Sequence, residues 1–148
     1  MVSVGLVDVN ALIALLWKEH PFHESCAEWF AGATKTGWAT CPITEAGFVR
    51  VLCSPAFTAR PPTVHQAIRV LKAATESETN HRFWNDDLPV SVLGARWKPP
   101  LGHKQVTDLY LLSLAAHHKG TLITFDRRIA DFSGLGNMEP GAVLVLKQ

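Results

Sequence analysis

Cysteine is scarce, net charge is almost absent, and no apolar run is long. The three cysteines, Cys26, Cys41 and Cys53, are odd in number and form no C-x-x-C pair. That argues against a disulfide framework and for a reducing cytoplasm. The longest uninterrupted apolar run, Ala11 to Trp17, falls far short of a bilayer span, so no membrane segment is expected. The N-terminus is apolar but lacks a basic stretch, and Asp8 interrupts it, which argues against a secretory signal. A formal net charge of +1 neither supports nor excludes a nucleic-acid partner, because a local basic patch can coexist with a neutral total. No repeat, low-complexity tract or linker divides the chain. With 148 residues, 47% of them hydrophobic and 18% charged, one folded domain over residues 1–148 is expected.

The apolar pattern alternates between strand-like and helix-like stretches. Val2 to Val7 reads as a buried strand, and Asn10 to Lys18 as a helix with Leu12, Leu15 and Leu16 on one face. Phe22, Cys26, Trp29 and Phe30 form the stripe of a second helix, with a turn expected at Gly32 to Gly37. Trp38 to Thr40 is a short strand, and Pro42 suits the first position of the helix that follows. Thr63 is placed to cap a fourth helix whose stripe is Val64, Ala67, Ile68 and Leu71. His81 to Trp84 reads as a short strand. Asn85 to His103 is rich in turn residues and is the natural place for a substrate-facing loop. Lys104 to Lys119 is the clearest helix, with Gly120 expected as its C-cap. Thr121 to Phe125 and Ala142 to Leu146 are the last strands. This alternation predicts an α/β fold with a mostly parallel sheet and helices on both faces.

Four carboxylates stand out in that frame. Asp8 and Asp126 each follow a strand directly, while Glu45 and Asp108 each fall in the first turn of a helix. In an open parallel sheet, strand C-termini and helix N-termini share one edge, and ligands bind there. Each acid also has a plain structural reading: Asp8 and Asp126 as helix caps or turn residues, Glu45 as a partner of its helix dipole. Asp108 shares its face with Leu111, Leu112 and Ala115, which leaves a structural role without an obvious partner. Four acids converging without lysine or arginine among them would repel one another, and a divalent cation resolves the conflict. Oxygen donors suit Mg²⁺ or Mn²⁺ over zinc. Such an ion activates water for phosphoryl displacement, so a metal-dependent phosphodiesterase is the expected reaction class.

At these residues the chain resembles the PIN-domain ribonucleases, specifically the VapC-type toxins of VapBC toxin–antitoxin pairs. The matching pieces are L-V-D-V-N-A-L-I-A-L, I-T-E-A-G-F-V-R-V, V-T-D-L-Y-L-L-S-L-A and L-I-T-F-D, in the family's order and across nearly the whole chain. The resemblance implies a three-layer α/β/α sandwich and Mg²⁺- or Mn²⁺-dependent endoribonuclease activity on RNA, with tRNA or rRNA as the substrate class. It also implies a homodimer and a cognate VapB-type antitoxin. By the same resemblance Asp8 and Asp108 match the principal metal ligands. Glu45 and Asp126 match acids that complete the metal shell or orient the water, and Asn10 supports the first ligand.

Two other readings compete. A haloacid-dehalogenase-like phosphatase would want a second aspartate where Asn10 stands. A non-catalytic PIN-like module would bind RNA or a partner without cutting it. Other features are set aside as less informative. His20 and His23 lack zinc-finger spacing, and His117 and His118 suit a helix C-terminus. Asp86 and Asp87 suit a solvated turn. The tryptophans are more often core than base-stacking residues, and Arg50, Arg60, Arg69, Lys72, Arg82, Arg96 and Lys98 are scattered cations.

Overall fold

The computed structural model describes residues 3–98, 101–132 and 142–148. Five strands form one sheet in the order β3-β2-β1-β4-β5: β1 (Gly5–Val7), β2 (Trp38–Thr40), β3 (His81–Phe83), β4 (Thr121–Thr124) and β5 (Val143–Val145). All four pairings are parallel. Seven helices lie among the described residues: α1 (Val9–Leu16), α2 (His23–Thr36), α3 (Pro42–Leu52), α4 (Val64–Glu76), α5 (Val90–Leu93), α6 (Val106–His117) and α7 (Arg127–Phe132).

The two-residue alternation of a strand sorts the core into layers. Val7, Trp38 and Ile123 face a cluster built with Ala11, Leu12, Cys26, Phe48 and Leu71, the side of α1 to α4. Their neighbours Leu6, Ala39 and Leu122 face Leu93, Leu109, Leu112 and Ile129, the side of α5 to α7. The result is the expected three-layer α/β/α sandwich. The chain leaves β1 toward β2 and β3, then crosses back to β4 on β1's other side. That reversal between β1 and β4 is the topological switch point, where an open parallel sheet leaves a crevice.

Several local expectations are corrected. No turn forms at Gly32. Helix α2 runs on to Thr36 and stops at Gly37, whose φ of 109° suits glycine alone. In α1 every residue from Ala11 to Leu15 is buried, so the helix lies inside the core rather than half in it. In α4 only Ala67 and Leu71 are buried, and Val64 and Ile68 are exposed. The Asn85–His103 stretch is anchored rather than free: Leu93 and Trp97 are buried, and the Trp97 indole donates to the Ser113 hydroxyl at 3.2 Å. Pro99 and Pro100 in that stretch lie outside the described residues, as does Val2 of the first expected strand. His118 stacks on Trp84 at 4.4 Å and 9° instead of meeting solvent at the helix end.

Gly120 serves a different purpose from the one expected. Lys119 takes the left-handed conformation (φ 57°), and Lys119 and Gly120 donate back to Ala116 and Ala115 at 3.0 and 2.7 Å. This is a Schellman closure with lysine at the left-handed position. Gly120 is needed for close approach: an added Cβ would fall 2.6 Å from both the Val4 carbonyl oxygen and the Trp84 ring. At Gly32 an added Cβ meets nothing within 4 Å. Alanine should therefore have opposite effects at the two positions. In urea titrations Gly32→Ala should raise stability by about 0.5–1 kcal/mol, and Gly120→Ala should lower it by about 1–3 kcal/mol. A Gly120→Ala chain that unfolds with the parent would contradict the close packing.

Candidate active site

At the C-terminal edge of β1, Asp8 caps α1 with extended backbone, and its Oδ1 accepts from the Val9 amide at 2.8 Å. Its Oδ2 accepts from the Thr124 hydroxyl at 2.8 Å. Only 7% of Asp8 is exposed. Burial raises its pKa, the hydrogen bonds from Thr124 and Val9 act the other way, and the Asp126 charge adds to the rise.

Thr124 is fully buried at the end of β4 and has one hydroxyl proton, which it gives to Asp8. Its oxygen accepts from the Asp126 amide at 3.1 Å and from the Asn10 side chain at 3.4 Å. Asn10 in turn accepts from the Phe125 amide at 3.3 Å. Asn10 thus fastens the start of α1 to the end of β4, the supporting position implied by the sequence resemblance.

Asp108, in the first turn of α6, faces the same cavity. Burial first, then the charges of Asp8 and Asp126, push its pKa up to about 6. Asp126 goes the other way. It accepts from the Arg128 amide and guanidinium, at 3.0 and 3.1 Å on Oδ1 and 2.9 Å on Oδ2, and this pairing lowers its pKa. Asp126 therefore combines the plain role of capping α7 with a place in the acid cluster. The expectation of a cluster without a basic residue is corrected: Arg128 belongs to it, with its side chain 81% exposed.

Asp8, Asp108 and Asp126 line one cavity of about 340 Å³, with Asn10, His20 and Phe57. Glu45 occupies the same sheet edge, in the first turn of α3, but does not line that cavity. Its Oε2 accepts from Thr40 at 2.6 Å, and the Thr40 oxygen is 2.8 Å from His81 Nε2. With the Thr40 proton given to Glu45, His81 Nε2–H is the donor of the second bond. Burial lowers the His81 pKa, consistent with a neutral ring. The sequence pattern does not single out Thr124, Thr40, His81 or Arg128. Thr124 and Arg128 each stand two residues from Asp126 and could have been found from T-x-D-x-R; nothing local flags His81.

Three carboxylates at one cavity form a hard-oxygen donor set of the kind that suits Mg²⁺ or Mn²⁺, and burial is the first cause of the raised pKa values of Asp8 and Asp108. Among the described residues no group of three or more His, Cys, Asp or Glu side chains is drawn close enough together to hold a metal ion by itself.

A family model described as PIN domain matches residues 5–135. The chain is 42% identical over 136 residues to ribonuclease VapC39 of Mycobacterium tuberculosis, covering 91% of this chain and 97% of that protein. Ribonuclease VapC38 of the same organism is 44% identical over 123 residues, covering 83% and 85%. Among solved structures, VapBC2 of Rickettsia felis, bound to a DNA fragment from its promoter, aligns with a TM-score of 0.66 at 10% identity, over 97% of this chain and 99% of that one. PAE2754 of Pyrobaculum aerophilum aligns with a TM-score of 0.58 at 19% identity, over 95% and 83%.

Two outcomes follow from the site's electrostatics. Because the folded chain raises the pKa of Asp108, this group contributes stability that is complete below 3.8 and lost as pH rises through about 6. In metal-free protein, Asp108→Asn should therefore be more stable than the parent at neutral pH and indistinguishable from it at pH values below 3.8, as read by thermal melts across pH. Thr124→Val keeps the volume but deprives buried Asp8 of its donor, and should cost about 1–3 kcal/mol at neutral pH. An unchanged unfolding midpoint would show that the hydroxyl is not needed.

Proposed function

The chain belongs to the PIN-domain family and, within it, to the VapC ribonucleases, and on that premise we propose how its own residues cut RNA. It is the toxin endoribonuclease of a toxin–antitoxin system. The observation that carries the mechanism is the meeting of Asp8, Asp108 and Asp126 at one cavity on the C-terminal edge of the sheet.

Asp8 and Asp108 would hold a Mg²⁺ or Mn²⁺ ion, with Asp126, and Glu45 from the same sheet edge, completing the metal shell or orienting the attacking water. When bound, the ion supplies a water of lowered pKa and positive charge against the phosphate oxygens. The protein's part is positioning. Thr124 and the Val9 amide fix both oxygens of Asp8, Arg128 fixes Asp126, and Thr40 with His81 fixes Glu45. Asp108, whose pKa burial pushes up to about 6, would bind a cation in its ionised form, so protons and metal would compete for it below neutrality.

The partners follow from the same reading: an RNA substrate of the tRNA or rRNA class, a VapB-type antitoxin and a second copy of the chain, all in the cytoplasm. The unit that acts is one PIN-like domain spanning 1–148. Asn10 argues against the phosphatase alternative, since its amide is engaged with β4 rather than set as an acid. The non-catalytic reading draws on Glu45 standing outside the cavity.

An RNA panel incubated with antitoxin-free protein, with and without EDTA, tests this, with the product ends sequenced. Cleavage should require Mg²⁺ or Mn²⁺, and Asp8→Asn or Asp108→Asn should reduce it by at least about a hundredfold while the protein stays folded. Intact protein that cuts no RNA with either ion would overturn the reading.

A further inference from the structure

A second cavity, of about 400 Å³, opens beside the acidic one. The two share Asn10, His20 and Asp126, so they adjoin. Their walls differ in chemistry. The second is lined by His20, Phe22 and the buried Phe125, with Arg127 and Gln148, whose side-chain amide donates to the Phe125 carbonyl at 3.3 Å. Its volume sits at the small end of ligand-sized pockets, about 300–1,000 Å³.

The rings form a continuous wall. Phe22 lies 5.2 Å from Phe125 at 38°, and His20 lies 5.4 Å from Phe22 at 61°. His20 also lies parallel to Phe57, at 6.4 Å and 19°, so the wall extends into the acidic cavity. The His20 ring is pinned: its Nδ1 accepts from the Phe22 amide at 3.0 Å, which leaves Nε2–H as its remaining donor. The hydroxyl-and-amide frame that holds Asp8 also holds this wall, because Asn10 binds the Phe125 amide.

We infer that this second cavity holds an unstacked base of single-stranded RNA, that of a nucleotide neighbouring the phosphate at the carboxylates. The inference rests on the reading of the acidic cavity as the site of RNA cleavage. Aromatic faces take a base whatever its identity, and side-chain amides read its polar edge. The exposed Arg127 meets the next phosphate along the strand. A protein partner's side chain could enter the same space, but a pocket that shares Asn10, His20 and Asp126 with the carboxylate cavity lies beside any phosphate held there, which favours the neighbouring nucleotide. Base preference at one position next to the cut would then be set by His20, Phe22 and Gln148.

The test uses full-length chain carrying Asp8→Asn, to prevent cleavage, in Mg²⁺. Binding of fluorescein-labelled ribohexamers of mixed sequence is followed by anisotropy: one intact, and six each lacking a single base. One missing base should weaken binding about 5- to 150-fold, the range of a lost base–aromatic stack. Phe22→Ala should weaken the intact hexamer by a similar factor and leave the sensitive abasic hexamer unaffected. Phe22→Leu, which keeps apolar bulk in the core, serves if Phe22→Ala does not fold. Equal binding of all seven hexamers, or a loss on Phe22→Leu that is the same for every hexamer, would overturn the base pocket and leave the nuclease reading standing. In that case the space is free for a protein side chain. Parent protein that neither binds nor cuts RNA would overturn both.

Discussion

The site depends on a single hydroxyl. Thr124 has one proton to give and gives it to a carboxylate that burial has stripped of water. An unpaired charge in that position would be costly, and no lysine or arginine is hydrogen-bonded to Asp8. The buried donors that meet it are the Val9 amide and this hydroxyl. Because Thr124 also accepts from the Asp126 amide, one oxygen sets the separation of two acids that arrive from different strands. The parallel pairing of β1 with β4 makes this possible, placing Val7 beside Ile123 so that Asp8, just past the end of β1, meets Thr124, the last residue of β4.

The acids around the cavity are not equivalent. Asp126 has a guanidinium partner and stays ionised well into acid, while Asp8 and Asp108 hold their protons more tightly than free carboxyls do. Arg128 is hydrogen-bonded to Asp126 and acts on Asp108 only through its charge, so the three acids lining this cavity differ in how far their charge is offset. His20 lines this cavity and the next, where it stands with Phe22 and Phe125.

Much of this was legible in the sequence because it depends on local order. A carboxylate directly after an apolar strand must emerge at the sheet edge, so Asp8 and Asp126 could be placed from neighbours alone. The layers followed from strands alternating with helices along the chain, which places helices on both faces of a parallel sheet. What could not be read depends on contacts distant in sequence. Glu45 was assigned to the right edge, but whether it reaches the cavity is decided by Thr40 and by His81, which is delivered by another strand. Gly32 looked like a turn because glycine is a poor helix former. The burial of Cys26 and Ala33 on one helix outweighs that local preference. Gly120 was read as a conformational choice when its cause is the Trp84 ring and the Val4 carbonyl above it.

The Asp8–Thr124 bond also has a consequence in time. It joins residues 116 apart, and a contact of that span forms only after the intervening chain has been made and the sheet has closed around β1. During synthesis Asp8 leaves the ribosome well before Thr124, so a growing chain carries this carboxylate without the hydroxyl that fixes it. The donor that completes the pair is among the last parts to arrive, so the geometry of this acid is set only when the fold is nearly complete.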